Sequence, residues 1–111
     1  MSNLTKNEEI ILLSILRLKD NAYGVSIKNQ IKILTGEEWN YGLLYCALDQ
    51  LARKGLLIKR EGKPIPERGG RRKIYYSISQ SGRGALEEAY ELKEALWDGI
   101  GVPSLKKGEA S

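Results

Sequence analysis

A cluster of basic side chains near the middle of the sequence is the feature best suited to chemistry, and that chemistry is the binding of an anion. The stretch PERGGRRKIYY, residues 66–76, combines three helix- or strand-breaking residues with four basic ones: Pro66, Gly69, Gly70, Arg68, Arg71, Arg72 and Lys73. Because proline and glycine disfavour the interior of a helix or strand, these charges are expected on a turn. Such a turn is either a plain solvated loop or an anion-binding device.

The distribution of charge favours the anion-binding device. The 111-residue chain has 18 basic and 14 acidic residues, a formal net charge of +4. Residues 59–73 hold seven basic and two acidic residues, whereas the remainder holds 11 basic and 12 acidic. The whole positive excess therefore surrounds the turn. Arginine suits phosphate in particular, because its planar guanidinium can bind two oxygens at once.

The other residue types exclude several kinds of chemistry. The sequence has no histidine and a single cysteine, Cys46. Ser–His and Cys–His catalytic pairs are therefore absent, and a zinc site is nearly excluded. We expect no catalytic residues, no metal and no cofactor. The sequence lacks an apolar run of membrane-spanning length and a signal-peptide pattern, so we expect a cytoplasmic location and no membrane partner.

Two helices are predicted at the start of the chain. Thr5 and Glu8 form a capping box that begins the first, over residues 5–18. The second spans residues 22–34, and Gly36 is expected to end it in the left-handed conformation. Four residues at helical spacing are predicted to share one face of it: Tyr23, Ile27, Ile31 and Leu34.

A third helix and a hairpin follow. Asn40 is a credible N-cap for the third helix, which Gly55 closes. Its predicted inward face is Leu44, Ala47, Leu48 and Leu51. The apolar period then changes, so that residues 56–61 and 73–79 are predicted as two strands joined by a charged loop over 62–72.

The last predicted element is an amphipathic helix that begins after Ser79 or Ser81. One stripe of it is apolar and is expected to form a dimer interface: Ala85, Ala89, Leu92 and Leu96. Trp97 beside this stripe either packs at the interface or stacks against a planar aromatic effector. We expect a DNA-binding domain over residues 1–78, a dimerisation helix of the same domain over 79–100, and a disordered tail over 101–111.

The order helix–helix–helix–hairpin–helix predicts a winged helix-turn-helix, a mainly α (α+β) fold. In this fold the third helix lies in the major groove of double-stranded DNA and the hairpin is the wing. The same fold can also serve as a protein–protein adaptor that does not bind DNA. The concentration of charge at the hairpin tip favours DNA, since an adaptor does not require it.

Three segments resemble a known family: AYGVSI at 22–27, GLLYCALDQLARKGLL at 42–57, and PERGGRRKIYYSIS with SGRGAL over 66–86. They are similar to signature segments of PadR-type transcriptional regulators, in the short, single-domain branch. The resemblance implies a bacterial or archaeal repressor that binds a pseudo-palindromic operator as a homodimer joined through its last helix. It also implies a small-molecule effector, phenolic acids or hydrophobic drugs in some members.

The resemblance, together with the basic turn, implies a set of DNA-binding residues. They begin the second helix, line the exposed side of the third and form the wing: Tyr23, Gly24, Tyr41, Gly42, Tyr45, Arg68, Gly69, Gly70, Arg71, Arg72 and Lys73. The sequence departs from the family pattern at Cys46, where proline is common, and at Tyr41, where a small residue is frequent. We expect Cys46 to be a small packing residue rather than a redox sensor.

Overall fold

Four helices and a two-stranded sheet follow one another in the predicted order. The computed structural model describes residues 4–64 and 72–101. The elements are α1 (Lys6–Leu18), α2 (Gly24–Thr35), α3 (Tyr41–Arg53), β1 (Leu57–Pro64), β2 (Arg72–Ile78) and α4 (Gln80–Trp97), with a short 3-10 turn (Lys19–Asn21) after α1. Strands β1 and β2 pair antiparallel, and Leu57 lies opposite Ile78. This is a winged helix, and the fold prediction is confirmed.

Helix α1 begins at the predicted capping box. The Glu8 N–H donates to Thr5 Oγ1 at 3.1 Å, and the Thr5 N–H donates to a Glu8 carboxylate oxygen at 3.0 Å. The same carboxylate bonds Lys54 Nζ at 2.6 Å, just past the end of α3. The ion pair between Glu8 and Lys54 therefore joins α1 to the end of α3. Glu8 is only 8% exposed, so its carboxylate is partly desolvated.

Helix α2 has Tyr23 as its N-cap and ends at Gly36, whose φ of 78° is the left-handed cap that the sequence predicts. Ile27 and Ile31 are fully buried, as expected. Leu34 was predicted on the same face as these isoleucines, but 42% of this residue is exposed. It faces a groove between α1 and the end of α2 instead of the core, because the core contacts of α2 end one turn earlier, at Ile31.

Helix α3 begins at Asn40, whose side chain accepts from the Leu43 N–H at 2.7 Å. Leu44, Leu48 and Leu51 are fully buried. Cys46 is exposed, so the packing role expected for it is wrong. Cys46 follows Leu44 by two residues, which corresponds to a rotation of about 200° around the helix axis. Because Leu44 faces the core, Cys46 lies on the opposite face of α3.

The bounds of both wing strands differ from those predicted. Strand β1 continues to Pro64 instead of ending at residue 61, because pairing resumes beyond an irregularity between Glu61 and Pro64. A Cβ at Gly62 would lie 2.6 Å from the Tyr75 ring, so the glycine lets this ring lie against β1. Strand β2 begins one residue earlier than predicted, at Arg72.

Helix α4 begins at Ser79, whose hydroxyl accepts from the Gly82 N–H at 3.0 Å. All four helices and both strands contribute to the buried core or pack against it, and the core has these members: Ile11, Leu12, Ile15, Ala22, Ile27, Ile31, Trp39, Leu44, Leu48, Leu51, Leu57, Tyr76, Ile78 and Leu86. The tail predicted over residues 101–111 lies, apart from Gly101, outside the described residues.

Candidate nucleic-acid interface

A shallow recess of about 110 Å³ lies where the first turn of α2, the exposed side of α3 and the base of the wing meet. Its lining residues are Tyr23, Gly24, Val25, Tyr45, Arg72, Lys73 and Ile74. Five of them belong to the predicted DNA-binding set, although they come from three separate stretches of the sequence. The fold therefore brings this part of the predicted site together.

Tyr45 and Gly24 form the tightest contact of the recess. A Cβ at Gly24 would lie 2.0 Å from the Tyr45 hydroxyl oxygen and 2.7 Å from Cζ of the same ring. A glycine at the first position of α2 thus leaves room for the tyrosine ring of α3. Tyr45 remains 44% exposed, so its ring packs against α2 while much of the side chain stays accessible.

A row of aromatic and basic side chains fixes the wing against the start of α2. The rings of Tyr23 and Tyr75 meet edge to face with centroids 5.6 Å apart. Lys73 Nζ lies 4.0 Å from the Tyr23 centroid, and Arg60 Cζ lies 4.8 Å from the Tyr75 centroid. The Tyr76 N–H also donates to the Ala22 carbonyl at 2.8 Å. The positions of both cations are therefore set by contacts with the aromatic rings.

A second aromatic pair extends the surface along α3. Tyr41 and Tyr45 stack with centroids 6.0 Å apart and an interplanar angle of 23°, and Lys28 Nζ lies 5.2 Å from the Tyr41 centroid. Gly42 is exposed, and a Cβ there would meet only Asn40 Oδ1, at 3.4 Å. Neither backbone nor packing requires glycine at this position. Tyr41 and Gly42 lie outside the recess, at the N-terminal end of α3.

Several cations near this surface are paired with carboxylates of the same chain. Arg72 contacts Glu61 at 3.0 Å, and Lys59 contacts Asp49 at 2.7 Å. The hydrogen bond and charge of Lys59 hold the pKa of Asp49 below its usual value, and the hydrogen bond to Asp49 raises the pKa of Lys59. All four side chains are about half exposed or more, so these pairs are weak and exchangeable.

Comparison with known proteins places this geometry in a family. The model of the transcriptional regulator PadR-like family matches residues 12–88. The chain belongs to the PadR-like family of transcriptional regulators. No curated protein matches the sequence.

Solved PadR-like structures and other regulators resemble the chain over most of its length. A PadR family transcription regulator from Clostridium difficile is 30% identical, with a TM-score of 0.59, over 88% of this chain and 94% of that one. RosR from H. salinarum is 28% identical, with a TM-score of 0.68, over 97% of this chain and 89% of that one. A transcriptional regulator from Clostridium thermocellum is 27% identical, with a TM-score of 0.60, over 83% and 90%.

Several residues of this PadR-like surface were not predicted from the sequence. Arg60 and Gly62 matter through their contacts with the Tyr75 ring, and Lys28 through its contact with Tyr41. The spacing of Lys28 and Lys32, four residues apart on α2, is visible in the sequence and could have suggested a shared basic face. The contacts with Tyr75 and Tyr41 depend on tertiary structure and leave no local signal.

The other predicted site residues are either outside the described ranges or on α4. The wing residues Arg68, Gly69, Gly70 and Arg71 fall outside the described residues. The predicted dimer stripe lies along α4, where Ala85 and Ala89 are half-buried while Leu92 and Leu96 are 59% and 65% exposed. Trp97 is 43% exposed near the same end of the helix.

The described ranges contain neither a metal-binding group nor a membrane-spanning helix. Within residues 4–64 and 72–101, no three Cys, Asp or Glu side chains gather in a group that could hold a metal ion. No helix in these ranges has the length and apolar character needed to cross a membrane.

Proposed function

We propose that the protein regulates transcription by binding double-stranded DNA, and that the recess beside Gly24 seats a backbone phosphate. The observation that carries this proposal is the convergence of Tyr23, Gly24, Tyr45 and Lys73 on one recess. Gly24 and Val25 are the first two residues of α2, and a helix N-terminus attracts anions through its unpaired N–H groups and its dipole. The Tyr45 hydroxyl adds a neutral hydrogen-bond donor, and the Lys73 ammonium adds a positive charge.

In this arrangement α3 enters the major groove and the wing lies over the neighbouring backbone or minor groove. Opposite its buried leucines, α3 presents Gly42 and Cys46 as exposed residues, next to Tyr41. The predicted wing-tip residues, Arg68–Arg71, would add positive charge beyond the recess. Basic side chains on the wing would contact phosphates, whereas residues on the exposed side of α3 would contact the edges of the bases.

We further propose a homodimer that represses transcription from a pseudo-palindromic operator in the cytoplasm. The exposed leucines of the α4 stripe support self-association, because water is a poor environment for two adjacent apolar side chains on one helix. Two-fold symmetry of the dimer would repeat α3 at two half-sites. Trp97, near the same stripe, is the proposed contact for a planar aromatic effector.

Duplex binding at several salt concentrations tests the central proposal. A ligand duplex is first selected from a random-sequence library with the purified parent protein. We expect Lys73→Ala to lower affinity and to reduce the slope of log K against log salt by about 1, since one phosphate contact is lost. Tyr45→Phe should cost on the order of 1 kcal/mol if its hydroxyl bonds a phosphate.

Lys6→Ala is the matched control, because it removes one exposed positive charge from α1. It should leave the salt slope unchanged. If the parent protein binds no duplex even at low salt, the adaptor function replaces the DNA-binding one.

A further inference from the structure

Two lysines of α2 converge on one carboxylate immediately ahead of α3. Lys28 Nζ lies 3.4 Å from one Glu38 oxygen, and Lys32 Nζ lies 3.5 Å from the other. The lysines are four residues apart, so they lie on one side of α2. The Glu38 side chain is 62% exposed, and the two ammonium groups therefore hold an anion at the protein surface.

Contacts with the recognition surface hold Lys28 in place. Its side chain is only 16% exposed and its ammonium lies 5.2 Å from the centroid of the Tyr41 ring. Tyr41 stacks on Tyr45, and Tyr45 packs against Gly24 in the recess. Lys28 is thus connected to the proposed phosphate seat through Tyr41 and Tyr45, and Lys32 lies beside it at Glu38.

We propose that Lys28 and Lys32 form a second site for a backbone phosphate of duplex DNA, and that Glu38 is an internal anion which the phosphate displaces. The carboxylate stands in for the ligand, since it presents one oxygen to each ammonium, as a phosphate does. This inference rests on the proposed function, because it adds a second contact to the same DNA surface.

Exchange of the anion is physically easy. The Glu38 side chain is 62% exposed and its contacts with Lys28 and Lys32 are long, at 3.4 and 3.5 Å, so releasing its carboxylate into water costs the folded protein little. The positive charge of Lys32, together with the Lys28 hydrogen bond, lowers the pKa of Glu38, so the carboxylate is ionised at neutral pH. While it is bound, Glu38 neutralises part of the basic surface and weakens the attraction for any polyanion. The ion pairs of Glu38 would therefore disfavour polyanions that bind the two lysines too weakly to displace the carboxylate.

Glu38→Gln and its neighbour Glu37→Gln provide a sharp test, because both remove one negative charge and both residues are exposed. Glutamine at position 37 can still accept from Trp39 Nε1, which donates to Glu37 at 3.3 Å. We expect Glu38→Gln to tighten binding of a random-sequence duplex by about two- to fivefold, the range that corresponds to one exposed ion pair. The salt slope should steepen by up to about 1, and Glu37→Gln should produce a smaller change in both quantities.

The same pair of variants in a Lys28→Ala, Lys32→Ala background completes the test. There Glu38→Gln should have no greater effect than Glu37→Gln, because the carboxylate has no cations to release. Melting temperatures verify that every variant folds. If the parent binds duplex but Glu38→Gln and Glu37→Gln behave alike, the second site is wrong while the proposed function stands. If the parent binds no duplex, both fail.

Discussion

At the scale of single residues, Gly24 is important because the absence of a side chain leaves space for the Tyr45 ring. Gly24→Ala should lower the free energy of unfolding by about 1–3 kcal/mol, the usual range for overpacking. The added methyl group would force the Tyr45 ring away from α2, since the two would otherwise lie 2.0 Å apart. Urea unfolding measures this loss. In a Tyr45→Ala background the same substitution should be nearly neutral.

Gly42→Ala is the matched control, in the first turn of α3. Its Cβ meets only Asn40 Oδ1, at 3.4 Å, so the higher helix propensity of alanine should stabilise the protein by up to about 1 kcal/mol. Equal losses of stability in the two alanine variants would contradict the role assigned to Tyr45.

Glu8 makes the stability of the protein depend on pH. Burial alone would raise its pKa, but hydrogen bonds from Lys54 and Thr5 outweigh burial and lower the pKa below the ordinary value of 4.5. A lowered folded-state pKa gives stability that is present above the unfolded-state value and is lost as the pH falls through the folded-state value. The free energy of unfolding should therefore fall between about pH 5 and pH 3.

Glu8→Gln tests this pH dependence, because glutamine keeps the capping geometry but does not titrate. Urea titrations at several pH values should show a flatter profile for this variant than for the parent. Glu87→Gln removes the same charge from an exposed position of α4 and leaves the contacts of Glu8 intact, so it should retain the parent's profile. If the Glu8→Gln variant keeps the pH profile of the parent protein, a group other than Glu8 is responsible for the pH dependence of stability.

At the scale of secondary structure, the wing is joined to α2 through Tyr75. Tyr75→Leu removes the edge contact with Tyr23 and the cation–π contact with Arg60. These two kinds of contact together suggest a loss of about 1–2 kcal/mol in the free energy of unfolding. Amide exchange should become faster at Tyr76, whose N–H crosses to Ala22. Tyr90→Leu, at a residue of α4 that is 61% exposed, should change neither quantity appreciably.

The sequence predicted those elements whose signals are local. The capping box of Thr5 and Glu8, the Asn40 N-cap and the left-handed Gly36 are confirmed because each depends on residues within three or four positions. The end of β1 was wrong, because the bulge near Gly62 accommodates a ring from β2. Cys46 was misplaced although its neighbours indicate the inward face of α3, because the helical rotation of about 200° between Leu44 and Cys46 was not applied to it.

Part of the lining of the recess could be predicted from the sequence, whereas its geometry could not. Tyr23, Gly24, Tyr45 and Lys73 were predicted as one set, and they line one recess. The internal carboxylates were missed, since the Glu61, Asp49 and Glu38 pairs join residues that are six to 11 positions apart and on different elements. Only the folded chain shows that three of its acidic residues partly neutralise the basic surface.

At the scale of the whole molecule, the predicted homodimer depends on the α4 stripe. Leu92→Glu and Leu96→Glu should convert a dimer into a monomer, because a partnered interface would bury the new charge without a counter-ion. Both side chains are mostly exposed in the single chain, so neither substitution should unfold it. Light scattering at micromolar concentration measures the mass, and thermal melting verifies the fold.

Glu91→Lys serves as the control, since it changes the charge on the side of α4 away from the stripe. It should remain dimeric. A monomeric parent protein, or Leu92→Glu and Leu96→Glu variants that keep the parent's mass, would contradict the dimer.

The close contact at Gly82 fixes the N-terminal end of α4 against the segment that follows α3. A Cβ at Gly82 would lie 2.3 Å from the Leu56 carbonyl oxygen, and that oxygen also accepts from the Ser79 N–H at 3.1 Å. The base of α4 is therefore clamped to the segment that leaves α3, while its far end reaches Trp97, about 22 Å away along the axis. A tilt of about 10° at the clamp would move that end by about 4 Å. In the proposed dimer, the angle at which α4 leaves this contact would help to determine the distance between the two copies of α3.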